Sequence, residues 1–311
     1  MIPRRCLSAA LAALAALLGV FAGAAAATAQ DLEPKAYSAS PVGAAFVVAG
    51  LGRATGSVVF DPTLPITDVE AKVNSGLVAT GYTFGLFGKL ALATAALPYA
   101  WGDITGKVAE VDSATSRSGL SDARFKLSVN LAGNPAMRVR EFIRAPRKTI
   151  FGASLTVVAP SGQYYGTKLI NLGTNRWGFK PEIGVAVPKG RWDIDAYLGV
   201  WLFTSNTNFF PGGLTRSQDP VVALQGHVSY TIRPRLWAAF NATWYRGGSA
   251  QVEGGAPIGS MNNSRLGATI SIPAGQRQSF KVAYSSGIVV RTGTNFQTLS
   301  VGWQWLWLTK K

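Results

Sequence analysis

The chain is nearly devoid of cysteine and histidine, with one of each. A disulfide framework, a Cys-rich zinc site, an iron–sulfur cluster and a multi-histidine metal centre are therefore excluded. Charge is also scarce. Asp, Glu, Lys and Arg make up 14% of the 311 residues, against about 25% in an average soluble domain. What charge there is leans one way, with 30 Lys and Arg against 15 Asp and Glu. No Walker loop or dinucleotide fingerprint is present. After residue 30 there is no apolar run of about 18 residues, so no transmembrane helix is expected there.

Apolar residues and glycine are abundant. Hydrophobic residues are 48% of the chain, with 35 Gly and 9 Trp, and mean hydropathy is positive at +0.18. Such a chain is not disordered, and it does not have the composition of an ordinary cytosolic enzyme. Its one long apolar run, Leu7 to Ala27, follows Arg4 and Arg5 and ends in Ala27-Thr28-Ala29. A positive start, an apolar stretch and a small-x-small site predict a cleaved signal peptide over 1–30, with the single cysteine, Cys6, leaving with it. A retained membrane helix is the alternative for that run. An exported, apolar remainder without a spanning helix has one other way to satisfy its backbone in lipid, a closed barrel.

Period-two alternation supports the barrel. Leu299, Val301, Trp303, Trp305 and Trp307 share one face of the last segment, and Thr298, Ser300, Gly302 and Gln304 the other. Phe125, Leu127, Val129 and Leu131 alternate with Arg124, Lys126, Ser128 and Asn130. Val222, Leu224, Val228, Tyr230 and Ile232 alternate with Gln225, His227, Ser229, Thr231 and Arg233. The segments near 149–160 and 191–204 read as apolar on both faces. Twelve strands are expected, at roughly 44–60, 76–87, 88–101, 119–132, 149–160, 177–188, 191–204, 221–233, 235–246, 263–273, 278–291 and 296–308, an even count of the kind single-chain outer-membrane barrels use. Links after even-numbered strands are mostly tight and links after odd-numbered ones mostly long, as in outer-membrane barrels. Two links break that rule, the short last one, Thr292 to Asn295, and the long link 133–148. The latter reads as a short basic helix, either at the periplasmic mouth or folded into the pore, or else as a solvated turn.

The expected fold is thus all-β: a transmembrane antiparallel up-and-down β-barrel over 31–311, preceded by the signal peptide. Its wet face would carry Arg124, Lys126, Lys180, Arg233, Arg265, Lys281 and Arg291, with Glu182 the main acid and Gln225 and His227 beside them. A cationic lumen between low-dielectric walls favours anions or polarised solutes; alternatively these side chains pair and fill the barrel. Asn171, Asn175 and Arg176 lie in a polar loop that either folds inward as a constriction or anchors Trp177 at the interface. The cations look scattered along strands and no nucleic-acid motif accompanies them, so lipid headgroups are better partners than nucleic acid. One chemical constellation needs weighing. His227 and Ser229 share a face, and Asn241 is as far after the turn at Pro234 as His227 is before it. A Ser–His–Asn set on neighbouring strands would suit a barrel-embedded lipid hydrolase. It points into the lumen, away from lipid, and a hydrogen-bonded ladder is the competing role.

Several stretches carry a resemblance. They are Gly162-Gln163-Tyr164, Leu169 to Trp177, Lys180-Pro181-Glu182-Ile183-Gly184, Gln218-Asp219-Pro220, Gln225-Gly226-His227, Arg246-Gly247-Gly248, Asn263-Ser264-Arg265 and Trp303-Gln304-Trp305. From about Ser40 to Trp307 the chain resembles the outer-membrane family associated with the meta-pathway of phenol degradation, often called transporters. The resemblance implies a barrel in the Gram-negative outer membrane that moves small aromatic or hydrophobic compounds passively. It supplies no catalytic residues, and a monomer with no bound metal or cofactor is expected.

Overall fold

The structure is a computed structural model that describes residues 32–59, 66–108, 111–168 and 170–309. The expected signal peptide lies outside the described residues. The elements in chain order are β1 (Ala44–Val59), β2 (Ile66–Leu86), β3 (Lys89–Val108), β4 (Val111–Leu120), β5 (Arg124–Ala132), the helix α1 (Val139–Arg144), β6 (Ile150–Val158), β7 (Gly178–Lys189) and β8 (Trp192–Phe203). There follow β9 (Asn206–Phe209), β10 (Leu214–Gln218), β11 (Val221–Arg233), β12 (Leu236–Gly247), β13 (Ala250–Val252), β14 (Met261–Ala274), β15 (Gln278–Val289) and β16 (Gly293–Leu308).

Twelve of these strands form an antiparallel ring. β1 pairs with β16 from Ala44↔Leu308 to Val59↔Gly293, and β2 with β3, so the sheet closes. Closure removes the edges that an open sheet would leave unpaired in lipid. The expected strand 119–132 is two pieces. The upper half of β3 pairs with β4 and the lower half with β5, and residues 121–123 between them are not strand. The β2–β3–β4 hairpins thereby run on past the wall. The second, small sheet, β9–β10–β13, belongs to the long loops.

Burial is inverted relative to a water-soluble protein. Buried positions include Ser128, Asn130, Thr156, Gln225, Asn241, Thr243 and Thr269, all polar. Exposed positions include Leu51, Val78, Leu97, Phe125, Leu127, Ile183, Leu198, Leu224, Phe240, Leu299 and Val301. A belt of this kind far exceeds the few hundred Å² of contiguous apolar surface a soluble monomer shows. Aromatic pairs mark both of its ends. Trp192 and Tyr230 (centroids 4.7 Å apart) and Trp303 and Trp305 (6.2 Å) stand near the short turns. Tyr99 with Trp101 (6.1 Å) and Trp177 with Phe179 (6.3 Å) stand near the long loops. Such girdles sit at membrane–water interfaces.

The insert 133–148 lies at the short-turn rim. Ala136 donates its N–H to Gly88 O (3.0 Å), Val42 donates to Met137 O (2.9 Å), and Arg147 donates to Gly190 O (3.0 Å) and pairs with Asp193. It straps the β2–β3 turn, the approach to β1 and the β7–β8 turn together. At the same rim the segment before β1 turns up into the barrel, which periodicity could not reveal.

Candidate functional site in the lumen

The lumen has two unlike walls. On β1 to β3 the lining includes Phe46, Val48, Ala71, Val73, Leu77, Ala96, Pro98 and Ile104, and Arg53, itself exposed, is the one charged residue among the lining residues of those strands. On β5 to β8 and β11 to β15 it includes Arg124, Lys126, Lys180, Glu182, Gln225 and Lys281. Between the walls is a cavity of about 670 Å³. Its floor is the segment Leu32 to Ala36 and its roof includes Ile170, Asn171 and Leu172.

Glu182 is the hub of the charged wall. Its carboxylate accepts from Tyr37 Oη (3.2 Å) and Gln225 Nε2 (3.2 Å), and lies 3.2 Å from Lys180 Nζ and 3.8 Å from Lys126 Nζ. Lys126 also meets Glu33 (3.3 Å), and Lys180 Nζ stands 5.3 Å above the Trp201 ring. Buried charges persist only when paired and hydrogen-bonded in this way.

The N-terminal segment is held by the same network. Lys35 pairs with Asp193 and donates its backbone N–H to Asp195 Oδ2 (3.2 Å), while Ala36 N–H donates to Tyr197 Oη (3.0 Å). Tyr37 packs edge-on to Tyr197 and bonds Ser154 Oγ (3.0 Å). Gly152 and Gly184 make its seat, for a Cβ on either would fall 2.1 Å and 2.4 Å from the Tyr37 ring.

Glu182 is therefore not the main acid alone. Asp193 and Asp195 face inward from β8, the strand that read as apolar on both faces, and Glu33 arrives with the N-terminal segment. The lumen is more nearly neutral than the strand cations suggested. Two of those cations leave the lumen altogether. Arg233 follows a register shift at Thr231 and is exposed at the short-turn rim. Arg291 lies beyond the end of β15, exposed at the long-loop rim. Arg265 is inward but tied to Ser285 Oγ (3.1 Å) and Phe296 O (3.0 Å), and it does not line the cavity.

The loop 159–177 folds inward. Asn171 accepts from Tyr165 N–H (2.8 Å) and donates to Lys168 O (2.7 Å), which fixes the turn that roofs the cavity. Asn175 donates to Asn206 Oδ1 (2.8 Å) and Arg176 to Gln218 Oε1 (2.5 Å), so both bind the loop to the β9–β10 sheet rather than the cavity. The Arg176 guanidinium stacks 4.2 Å from the Phe203 centroid. Burial, with Arg216 adding to it, pushes Arg176 down to about 9, still charged at neutral pH. The anchor that holds the loop is Asp122, which accepts from Gly162 N (2.9 Å), Thr174 N (2.8 Å) and Thr174 Oγ1 (2.6 Å). Asp122→Ala is expected to free the loop and expose residues 160–175 to protease, since hydrogen bonds to a charged group contribute roughly 1.5–3 kcal/mol each. Limited proteolysis checks it; a digestion pattern like wild type would remove Asp122 from that role.

His227 and Asn241 stand opposite each other as their equal distance from the turn predicts, with Nδ1 and Oδ1 2.8 Å apart. Asn241 donates onward to Thr269 Oγ1 (3.0 Å). Ser229 Oγ and His227 Nε2 have no hydrogen-bond partner among the described residues, so the Ser–His bond of a nucleophilic site is absent. Neither side chain lines the cavity. The arrangement is a ladder within the wall.

This geometry defines an up-and-down β-barrel of the outer-membrane type with its lumen partly filled from the N-terminus. Residues 52–306 match the family described as "Putative MetA-pathway of phenol degradation", and the chain belongs to that family. Among solved structures it is similar to the COG4313 outer membrane channel from Pseudomonas putida F1, with TM-score 0.73, 18% identity and coverage of 89% of this chain and 100% of that one. It is also similar to the transport unit of the autotransporter AIDA-I from Escherichia coli, with TM-score 0.51, 11% identity and coverage of 89% and 94%. At these identities the likeness is one of fold. No curated protein sequence matches the chain.

Proposed function

We propose that the protein is a monomeric outer-membrane channel for passive uptake of small hydrophobic or aromatic compounds. The observation that carries this is the two-faced cavity. A mostly apolar wall with Phe46, Val73, Leu77 and Pro98 suits a ring, and the facing Lys126, Lys180 and Gln225 suit a hydroxyl or carboxylate on it. Pockets that orient small ligands combine these same features. Solute would move down its gradient, with neither a nucleotide nor a metal involved. Family membership and the channel fold support the same role.

The test is solute uptake into liposomes holding the folded chain, with phenol, benzoate and a sugar of similar size. Aromatic solutes should enter faster than the sugar. Leu77→Lys should slow phenol by about tenfold, the equivalent of ~1.4 kcal/mol of lost apolar contact. A barrel with a filled, purely structural lumen is the second reading, favoured by the N-terminal segment on the cavity floor. Equal rates for all solutes, indistinguishable from empty liposomes, would establish it instead.

A further inference from the structure

The two rims of the barrel differ in charge. Of the acidic residues in the described chain, Asp68, Asp103, Asp112, Asp219 and Glu253 are at the long-loop end, where Lys107 meets Asp68 at 3.5 Å. The short-turn rim has one exposed acid among the described residues, Glu141, and that carboxylate accepts from Arg138 N–H (3.1 Å). Every tight turn there is basic. Lys89, Lys189, Arg191, Arg233 and Arg277 are all exposed, and the insert 133–148 adds more arginines. The cations that looked scattered along the sequence converge because strand ends meet at one rim.

Their level relative to the membrane is fixed by the aromatic girdle. Arg191 directly precedes Trp192, whose ring packs on Tyr230, and Thr231 N–H donates to Arg191 O (2.8 Å). The turns bearing Arg191 and Arg233 therefore lie side by side, just beyond an interfacial Trp–Tyr pair. The next turn is built alike. Arg235 clamps the carbonyls of Gly275, Gln276 and Gln278 (2.6–2.7 Å), and Gln278 Oε1 accepts from Trp303 Nε1 (2.8 Å). Arg277 is thus held exposed beside Trp303 and Trp305. Two large apolar side chains are also left outward at this rim, Phe87 at 95% exposure beside Lys89 and Ile143 at 76% on α1 between Arg140 and Arg144. Interfacial aromatics lie at headgroup depth, and Lys and Arg just beyond them meet lipid phosphates. Basic residues around an apolar anchor are also the composition of a surface that rests on anionic lipid.

We infer that the short-turn rim is a binding surface for anionic glycerophospholipids of the periplasmic leaflet, with headgroup phosphates held by Arg191, Arg233 and Arg277 beside the lower tryptophans. The inference rests on the membrane reading of the barrel. It adds a preferred lipid class and a side to it.

The probe is tryptophan quenching by dibrominated lipid in vesicles containing the folded full chain. Brominated phosphatidylglycerol is compared with brominated phosphatidylcholine. Wild type should associate with phosphatidylglycerol about threefold more strongly at low salt, and this preference should fall toward parity in 1 M salt, where the Debye length is about 3 Å. Arg191→Gln/Arg233→Gln/Arg277→Gln should bring it toward parity at low salt, while Arg246→Gln, an outward arginine at the other end, should leave it intact. Heat-dependent gel mobility confirms that each variant is folded. Equal quenching by the two lipids in wild type, or a preference that survives the triple substitution, overturns the inference. Failure of the chain to insert into either vesicle would instead overturn the membrane reading.

Discussion

Gly152→Val is expected to drive the N-terminal segment out of the lumen and to raise single-channel conductance several-fold. The first atom of any side chain at Gly152 would fall 2.1 Å from Tyr37 Cδ1, and its nearest contacts are all with that ring. The wall is fixed by its ladder, so Tyr37 must give way. With it go the hydroxyl bonds to Ser154 and Glu182 and the packing against Tyr197. Losing two hydrogen bonds at ~1 kcal/mol each and part of an aromatic contact of ~1 kcal/mol shifts the seated population by more than tenfold. Tyr37→Phe keeps the ring and should open the channel only slightly. Planar-bilayer recording separates these outcomes. A folded Gly152→Val barrel with wild-type conductance would show that the segment does not limit passage.

Glu182→Leu is expected to lower barrel stability by about 3 to 5 kcal/mol, the range for breaking one side of a buried ion pair. The side chains of Glu182 and Lys180 are 1% and 5% exposed, so neither can exchange its partner for bulk water. Removing the carboxylate leaves the Lys180 and Lys126 ammonium groups facing each other across the site, and takes the acceptor from Gln225 and Tyr37. Removing Lys180 as well should recover much of the loss, because the cation that Glu182 neutralises then goes too; a double-mutant cycle measures that coupling. Urea unfolding from lipid vesicles is the readout. A loss below ~1 kcal/mol would mean that water already reaches Glu182.

The wall was legible in the sequence because period two is a local property. Phe125 to Leu131 and Leu299 to Trp305 announce their outward face residue by residue, and a tight turn at Pro234 is enough to set His227 against Asn241. The contents of the lumen were less legible. Asp193 and Asp195 share the inward face of β8 with Tyr197 and Trp201, and large aromatics on both faces hid two carboxylates. The approach of Tyr37 to Gly152 and Gly184 joins residues more than a hundred positions apart and leaves no periodic trace. Strict alternation points Arg233 and Arg291 inward, but it is broken by a register shift before Arg233 and by the end of β15 before Arg291. The rim charges needed the turns to be gathered in space before their asymmetry could be seen.

The two-faced lumen can be tested by cysteine accessibility in a chain whose only native cysteine is Cys6. Leu77 lines the cavity, and its neighbour Val78 points outward at 62% exposure. With the barrel in lipid vesicles, a small charged thiol reagent should label Leu77→Cys and be slowed by excess phenol, while Val78→Cys should react only with a lipid-soluble reagent. Labelling of Val78→Cys from water with Leu77→Cys inert, or labelling of Leu77→Cys that phenol leaves unchanged, would contradict an apolar wall open to aromatic solutes.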